Sequence, residues 1–304
     1  MARENLAAIR AGYREVKRVM KHGPSYPWRR YVAPTEILKI GAIRTDKSGE
    51  VTVCVLTSSK DWLSCLWSLV SFYEFSGLQL PLLIYSDGTL TESHTRQMAS
   101  VFPQARILDS ASGGAAISER LSRYPNCRRF RASLPYARKI IDLPMLCGSP
   151  LVLILDSDVL FLKRPEELMR HLAPNGSRRF VFERDMQDAY VASIAEIKQR
   201  FNVDVASRVN TGIMIADISG FDYARIETWL GQGAIERHPW AEQTLWAMYA
   251  GQKQTVLLGE EYDVTMAVHI EPNAVAKHYI KPIRDFLYME GIPYLSRHLD
   301  RKAG

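Results

Sequence analysis

From Val51 onward two apolar rhythms alternate along the chain. Val51 to Thr57 is a β-rich apolar run of strand length, and Trp62 to Phe75 reads as a helix. Leu80 to Tyr85 is again a strand, closed by Ser86-Asp87-Gly88. Thr91 to Ser100 is a helix with Thr91 as its cap. Ala105 to Leu108 is a short strand, 111–114 a loop, and Leu134 to Cys147 a helix. Leu151 to Phe161 then reads as a central strand, apolar on both faces. Such alternation builds right-handed βαβ units and a mostly parallel sheet flanked by helices. Beyond Phe161 the rhythm loosens. Pro165 to Leu172 is a short helix, Phe180 to Phe182 a strand, Ala192 to Phe201 a helix and Arg208 to Ala216 a strand. Tyr223 to Leu230 and Trp240 to Tyr249 are helices, and Thr255 to Leu258 is a strand. The segment Lys277 to Tyr294 is expected to be docked but irregular.

Ahead of the alternation, Leu6, Ile9, Tyr13, Val16 and Met20 recur on one side of a helix over Arg3 to Met20. Arg3, Arg10, Arg14, Lys17, Arg18 and Lys21 flank that side, and Gly23-Pro24 ends it. Ser25 to Glu50 reads as irregular. Residues 1–45 are therefore expected to form a basic helical extension, and 46–304 a single α/β domain. Packing on the domain or dimerisation is the first expectation for the helix; contact with an anionic membrane is the second.

Composition narrows the picture. Apolar residues make up 47% of the 304, ample for a large core. No stretch is apolar enough to span a bilayer, and Met1 to Met20 lacks the unbroken apolar core of a signal peptide. The expected location is cytoplasmic, with the inner membrane face open to the basic helix. Cys54, Cys65, Cys127 and Cys147 are too scattered for a zinc site and read as reduced, mostly buried thiols. A formal charge of +6 fits an anionic partner. No nucleic-acid-binding signature accompanies it.

The chemistry starts at Asp156 and Asp158, two carboxylates one residue apart inside the most informative apolar run. Burying like charges costs several kcal/mol unless a cation meets them. In a strand, residues i and i+2 share a face, so the pair can converge on one ion at the sheet's carboxyl edge, where α/β folds bind ligands. Hard carboxylate oxygens suit Mn²⁺ or Mg²⁺. Asp87 falls at the same edge.

Further patterns follow in order. Tyr136-Ala137-Arg138 opens the helix before the aspartate strand, and Arg164-Pro165-Glu166 follows it. Val209-Asn210-Thr211-Gly212 comes next, then Ala241-Glu242-Gln243 on a helix, then Lys277-His278-Tyr279. From Val51 to Lys281 this order resembles the GT-A glycosyltransferases, family 8 or a divergent relative. The resemblance implies a GT-A (Rossmann-like) mixed sheet and transfer of a sugar from a nucleotide-diphosphate donor, expected to be a UDP-sugar. The acceptor would be a hydroxyl of a glycan, a lipid-linked saccharide, a protein or a small molecule, and the stereochemistry retaining. It also implies a divalent metal held by Asp156, Asp158 and His278.

By the same resemblance Arg138 would reach the diphosphate or the sugar, and Asn210 the sugar or acceptor. Gly212 would allow close backbone approach. Glu242, standing where family 8 has Asp, and Gln243 would lie by the reacting face. Thr57 and Asp87 would meet the nucleotide, and Lys281 the phosphates. Family 8 places its lysine further from the histidine than Lys281 stands. The acidic residues Glu183, Asp185 and Asp188 read as solvated loop charges paired with Arg178, Arg179 and Arg184, or else as a base in an inverting enzyme. Two rival readings are a degenerate, non-catalytic nucleotide-sugar-binding module and an aspartate-nucleophile phosphohydrolase. The latter normally carries D-x-D on its first strand.

Overall fold

A computed structural model describes residues 2–109, 114–173, 180–233, 235 and 237–303. Ten strands occur among these residues: β1 Val51–Thr57, β2 Leu82–Ser86, β3 Arg106–Leu108, β4 Leu151–Leu155, β5 Val159–Phe161, β6 Phe180–Arg184, β7 Val209–Asp217, β8 Thr255–Leu257, β9 Tyr262–Asp263 and β10 Ala276–His278. Seven form one sheet in the order β3-β2-β1-β4-β7-β6-β8, and the other three a small sheet, β5-β10-β9. β1 through β4 run parallel, whereas β7 is antiparallel to both its neighbours.

Alternation along the central strands sorts side chains into two layers, both buried. Val53, Val55, Leu153, Leu155, Ile213 and Ile215 face the layer that holds the Trp62–Ser76 helix. Cys54, Val152, Ile154, Met214 and Ala216 face the layer that holds Ala241–Gly251. This double burial explains why these strands are apolar without a polar face.

The expected strand from Leu151 to Phe161 is broken. β4 stops at Leu155, and Val159 to Phe161 leave the main sheet to pair antiparallel with β10, Val159 opposite His278. Asp156-Ser157-Asp158 fill the turn between the two sheets, with the Val159 amide donating to the Asp156 carbonyl at 3.3 Å. Three polar residues cannot be sealed into a two-sided apolar sheet, so the chain leaves it at their first member.

Other expectations are corrected. The helix over Leu134 to Cys147 is two short helices, Ala137–Ile141 and Leu143–Leu146, with Asp142 between them and Pro144 opening the second. Most of the 111–114 loop lies outside the described residues, and Gly114 begins a helix to Arg120. Pro125–Ser133 is a further helix, beyond those expected from the sequence. The stretch after Ser25 holds helical turns at Tyr26–Tyr31 and Ala33–Lys39. The tail is regular: β10 supplies the middle of the small sheet and Ile292–Ala303 is a helix. The long first helix, Ala2–His22, is as expected. The helical turn that follows it packs on the body: Tyr26 donates to Asp285 at 2.8 Å, and Arg29 to the Met289 carbonyl at 2.9 Å.

Candidate active site

The turn after β4 places Asp156 and Asp158 at the carboxyl edge of the parallel strands, against the first half of β7. Leu155 stands opposite Ile213, and the Asp156 amide donates to the Gly212 carbonyl at 2.8 Å. Tyr279 of the tail donates its amide to the Asp158 carbonyl, also at 2.8 Å, which brings His278 over the same turn. Oxygens of Asp156 and Asp158 and a ring nitrogen of His278 lie within 4.8 Å of one another. Asp158 and His278 are buried, and Asp156 is partly open to solvent.

His278 is held by a second carboxylate. Its Nδ1 is 3.0 Å from Glu183 Oε2, and its Nε2 faces Asp158 Oδ1 at 3.5 Å. Glu183 lies at the β6 bulge, fully buried, and also accepts from the Ile213 amide at 3.2 Å. Its other oxygen has no hydrogen-bond partner. Burial raises the Glu183 carboxyl, with His278 opposing the shift. Burial alone would depress His278, but Glu183 and Asp158 outweigh it and push the imidazole well above its usual value. Burial would also raise Asp158, yet Arg284 and His278 hold it well below the usual carboxylate range.

This donor set fits a divalent cation. The Glu183 carboxylate takes Nδ1–H and turns the Nε2 lone pair toward Asp158, the outer carboxylate that orients many metal-binding histidines. Metal binding at Nε2 would exclude a proton there, so it would be coupled to proton release. Gly212 makes the arrangement possible. A Cβ there would lie 2.3 Å from the His278 ring and 2.6 Å from Glu183 Oε2.

Two basic side chains close the cluster. Lys139, buried, places Nζ 2.9 Å from Asp156 Oδ1, 2.9 Å from the Thr211 carbonyl and 3.9 Å from Glu242 Oε1. Arg284 donates through Nε to Asp158 Oδ2 at 2.9 Å and through a terminal nitrogen to the same oxygen. Both line a cleft of about 270 Å³ with Asp156, Asp158, Glu242 and Gln243.

Glu242 is buried at the start of its helix, where Thr211 Oγ1 donates to Oε2 at 3.1 Å. Burial pushes its carboxyl up to about 7, Lys139 opposing and Asp156 adding to the rise. Beside it, Asn210 Nδ2 donates to Asp185 Oδ2 at 2.8 Å, and Gln243 Nε2 to the Ala189 carbonyl at 3.1 Å. Gln243 Nε2 also reaches Asp185 at 3.4 Å.

Of the three acidic residues expected as solvated loop charges, Glu183 is buried within β6 and Asp185 is buried just after it, whereas Asp188 is exposed in the loop and accepts from the Arg208 amide at 2.7 Å. Of their expected partners, Arg178 and Arg179 lie outside the described residues.

Several site expectations fall at the cleft's periphery. Arg138 turns to the Asp87 carbonyl, and its neighbour Lys139 meets Asp156 instead. Asp87 caps its own turn, accepting from Thr89 Oγ1 at 2.6 Å. Thr57 is buried against Ser157, their hydroxyls 3.4 Å apart. Lys281 is exposed at the start of a short helical turn, whereas Arg284, three residues on, enters the cleft. A signal for Arg284 existed: it is six residues after His278, and family 8 sets its basic residue further from the histidine than Lys281. Lys139 and Glu183 carried no motif.

No protein-family model matches the chain, and no curated protein matches it. Solved structures do. The galactosyltransferase LgtC, in complex with donor and acceptor sugar analogs, superposes with a TM-score of 0.52 at 14% identity, over 81% of this chain and 94% of that one. Mouse xyloside xylosyltransferase 1, in its apo form, gives a TM-score of 0.50 at 13% identity, covering 75% and 96%. The fold is that of the GT-A glycosyltransferases. The apo glycosyltransferase GlyE of Streptococcus pneumoniae agrees, with a TM-score of 0.51 at 13% identity, over 84% of this chain and 64% of that one. The GT-A frame accounts for the mixed sheet, in which antiparallel β7 lays Asn210 to Gly212 beside the aspartate turn. No helix among the described residues is long and apolar enough to cross a membrane.

Proposed function

We propose that this chain transfers a sugar from a nucleotide-diphosphate donor, preferentially a UDP-sugar, to a hydroxyl acceptor, with retention at the anomeric carbon. The observation that carries the reading is the convergence of Asp156, Asp158 and His278 at the carboxyl edge of the GT-A sheet. These three residues would hold Mn²⁺ or Mg²⁺, which when bound supplies Lewis-acid neutralisation of the diphosphate. In the transfer, the bond from the anomeric carbon to the diphosphate oxygen breaks and its electron pair leaves with the diphosphate. A bond to the acceptor oxygen forms, and the acceptor's hydroxyl proton passes to the departing diphosphate oxygen.

The protein's own groups have defined tasks in this scheme. Arg284 pairs with Asp158 and would turn to the departing diphosphate; a planar, permanently charged fork suits that anion. Lys139 neutralises Asp156 and holds Thr211 and Glu242 in register with it. Gln243 lines the cleft and would present hydrogen-bonding groups to sugar hydroxyls, with Asp185 and Asn210 hydrogen-bonded behind it. Glu242 lies beside the reacting face. Its raised affinity for a proton lets it act as a hydrogen-bond donor or as a carboxylate near neutral pH. Thr57, Asp87 and Arg138 form the nucleotide end, and Lys281 lies at the rim.

A phosphohydrolase reading draws no support from a GT-A sheet with D-x-D after its fourth strand. The direct test is thermal unfolding with nucleoside diphosphates and nucleotide sugars, each with and without Mn²⁺, followed by donor turnover. A Mn²⁺-dependent rise in Tm with UDP and release of UDP from a UDP-sugar are the expected results. No response to any nucleoside diphosphate with any divalent ion would overturn the proposal. Binding without donor turnover toward water or any acceptor would leave a degenerate binding module instead.

A further inference from the structure

The first helix carries its apolar stripe on the wrong side for a globular protein. Surface helices ordinarily turn their apolar face to the body. At about 3.6 residues per turn, Tyr13, Val16 and Met20 share one face, and Arg18 and His22 lie on roughly the opposite one. The opposite face is the docked one: Arg18 Nε is 3.2 Å from Asp285 Oδ1, and His22 Nε2 is 3.3 Å from Asp285 Oδ2. Tyr13, Val16 and Met20 consequently point outward, 61%, 56% and 81% exposed. Nine large apolar side chains are exposed among the described residues, and six of them fall between Tyr13 and Val32. The others in that stretch are Trp28, Tyr31 and Val32, on the turn of helix that follows.

Charge decides the kind of surface this face fits. Residues 13–32 contain Arg14, Lys17, Arg18, Lys21, Arg29 and Arg30 against the single acid Glu15, which is paired with Arg18 at 2.9 Å. Arg14, Lys17 and Lys21 are exposed along one border of the stripe. A second copy of this chain would set that basic border against its like. An anionic bilayer meets both features at once, taking the apolar side chains below its headgroups and the cations among them. We propose that the outward face of Tyr13 to Val32 is a docking surface for anionic phospholipid. Arg14, Lys17 and Lys21 would contact the headgroups, and Tyr13, Val16, Met20 and Trp28 would enter the interface. Docking by this face would hold the body at the membrane independently of what the cleft binds.

Sedimentation of the full chain with vesicles tests this, in the absence of metal and nucleotide. Vesicles of phosphatidylcholine alone are compared with vesicles that also contain phosphatidylglycerol. Binding only to the anionic vesicles is expected. Partitioning should fall on the order of fivefold for each of Lys17→Gln and Lys21→Gln, and on the order of tenfold for Met20→Ser. High salt should weaken binding. Unchanged Tm values would show that these exposed substitutions leave the fold intact. Equal pelleting with and without phosphatidylglycerol, or full binding by the substituted chains, would overturn the proposal. So would sedimentation velocity showing a lipid-free dimer that Met20→Ser converts to monomer, which would assign the face to a second copy.

Discussion

The Arg284 guanidinium holds Asp158 through Nε, 2.9 Å from Oδ2, and leaves Oδ1 facing His278 Nε2 at 3.5 Å. One carboxylate is thus shared between a guanidinium on one oxygen and an imidazole on the other. Arg284 is partly open to solvent, whereas Asp158 and His278 are buried.

This sharing sets the outcome of Arg284→Ala. Without metal, Asp158 loses its main counter-charge, and stability should fall by roughly 1–2 kcal/mol once the partial exposure of Arg284 is discounted. Mn²⁺ should restore much of that loss. Donor turnover should drop on the order of 10²-fold, as expected when a preorganised charge on a leaving group is removed. Thermal unfolding with and without Mn²⁺, and steady-state donor turnover, check both halves. A variant with normal turnover would separate Arg284 from the diphosphate.

Asp158→Asn should abolish the metal response while keeping the fold. In the unsubstituted chain, a ligand at a hundred times its Kd adds about 2.7 kcal/mol to stability. With Mn²⁺ and UDP together that gain should vanish in the variant. A full Mn²⁺-dependent shift in Asp158→Asn would remove this residue from the metal site.

Gly212→Ala perturbs the histidine without replacing any of the three residues proposed to hold the metal. The new Cβ would stand 2.3 Å from the His278 ring, so His278 and Glu183 must part. Misorienting a ligand through its outer partner typically costs 10–100-fold in metal affinity, and about that loss is expected here. Overpacking should cost about 1–3 kcal/mol in addition. Titration of Mn²⁺ against Tm measures both, and an unchanged apparent affinity would contradict the geometry.

Glu242 makes stability depend on pH. Its carboxyl, ordinarily near 4.5, is pushed up to about 7 in the fold, mainly by burial. The folded chain therefore binds this proton more tightly than the unfolded one. The stabilising contribution is complete below about pH 4.5 and is lost as pH rises through about 7. Glu242→Gln should accordingly leave the metal-free chain unchanged near pH 4.5 and stabilise it by roughly 2–3 kcal/mol near pH 8. Urea unfolding at the two pH values reads the difference directly. Equal effects at both would mean that Glu242 is ionised throughout.

The amino-acid sequence alone determined the parts of this protein that depend on local repetition. The βα rhythm from Val51, the Thr91 cap and the aspartates closing an apolar strand were all legible, because side-chain period and capping are properties of neighbouring residues. The GT-A architecture was implied by the family resemblance that the order of the motifs carries. Only the tertiary structure decided what closes the site. That Lys139 and not Arg138 meets Asp156 depends on a short, broken helix, which determines which of two adjacent cations turns inward. Glu183 read as a solvated charge because nothing near it in the chain reveals that β6 bulges beneath a histidine 95 residues away. Arg284 and Asp158, 126 positions apart, meet only because Leu160 and His278 belong to a second small sheet. Long-range ion pairs have no period and no spacing, so they become readable only when the chain is folded.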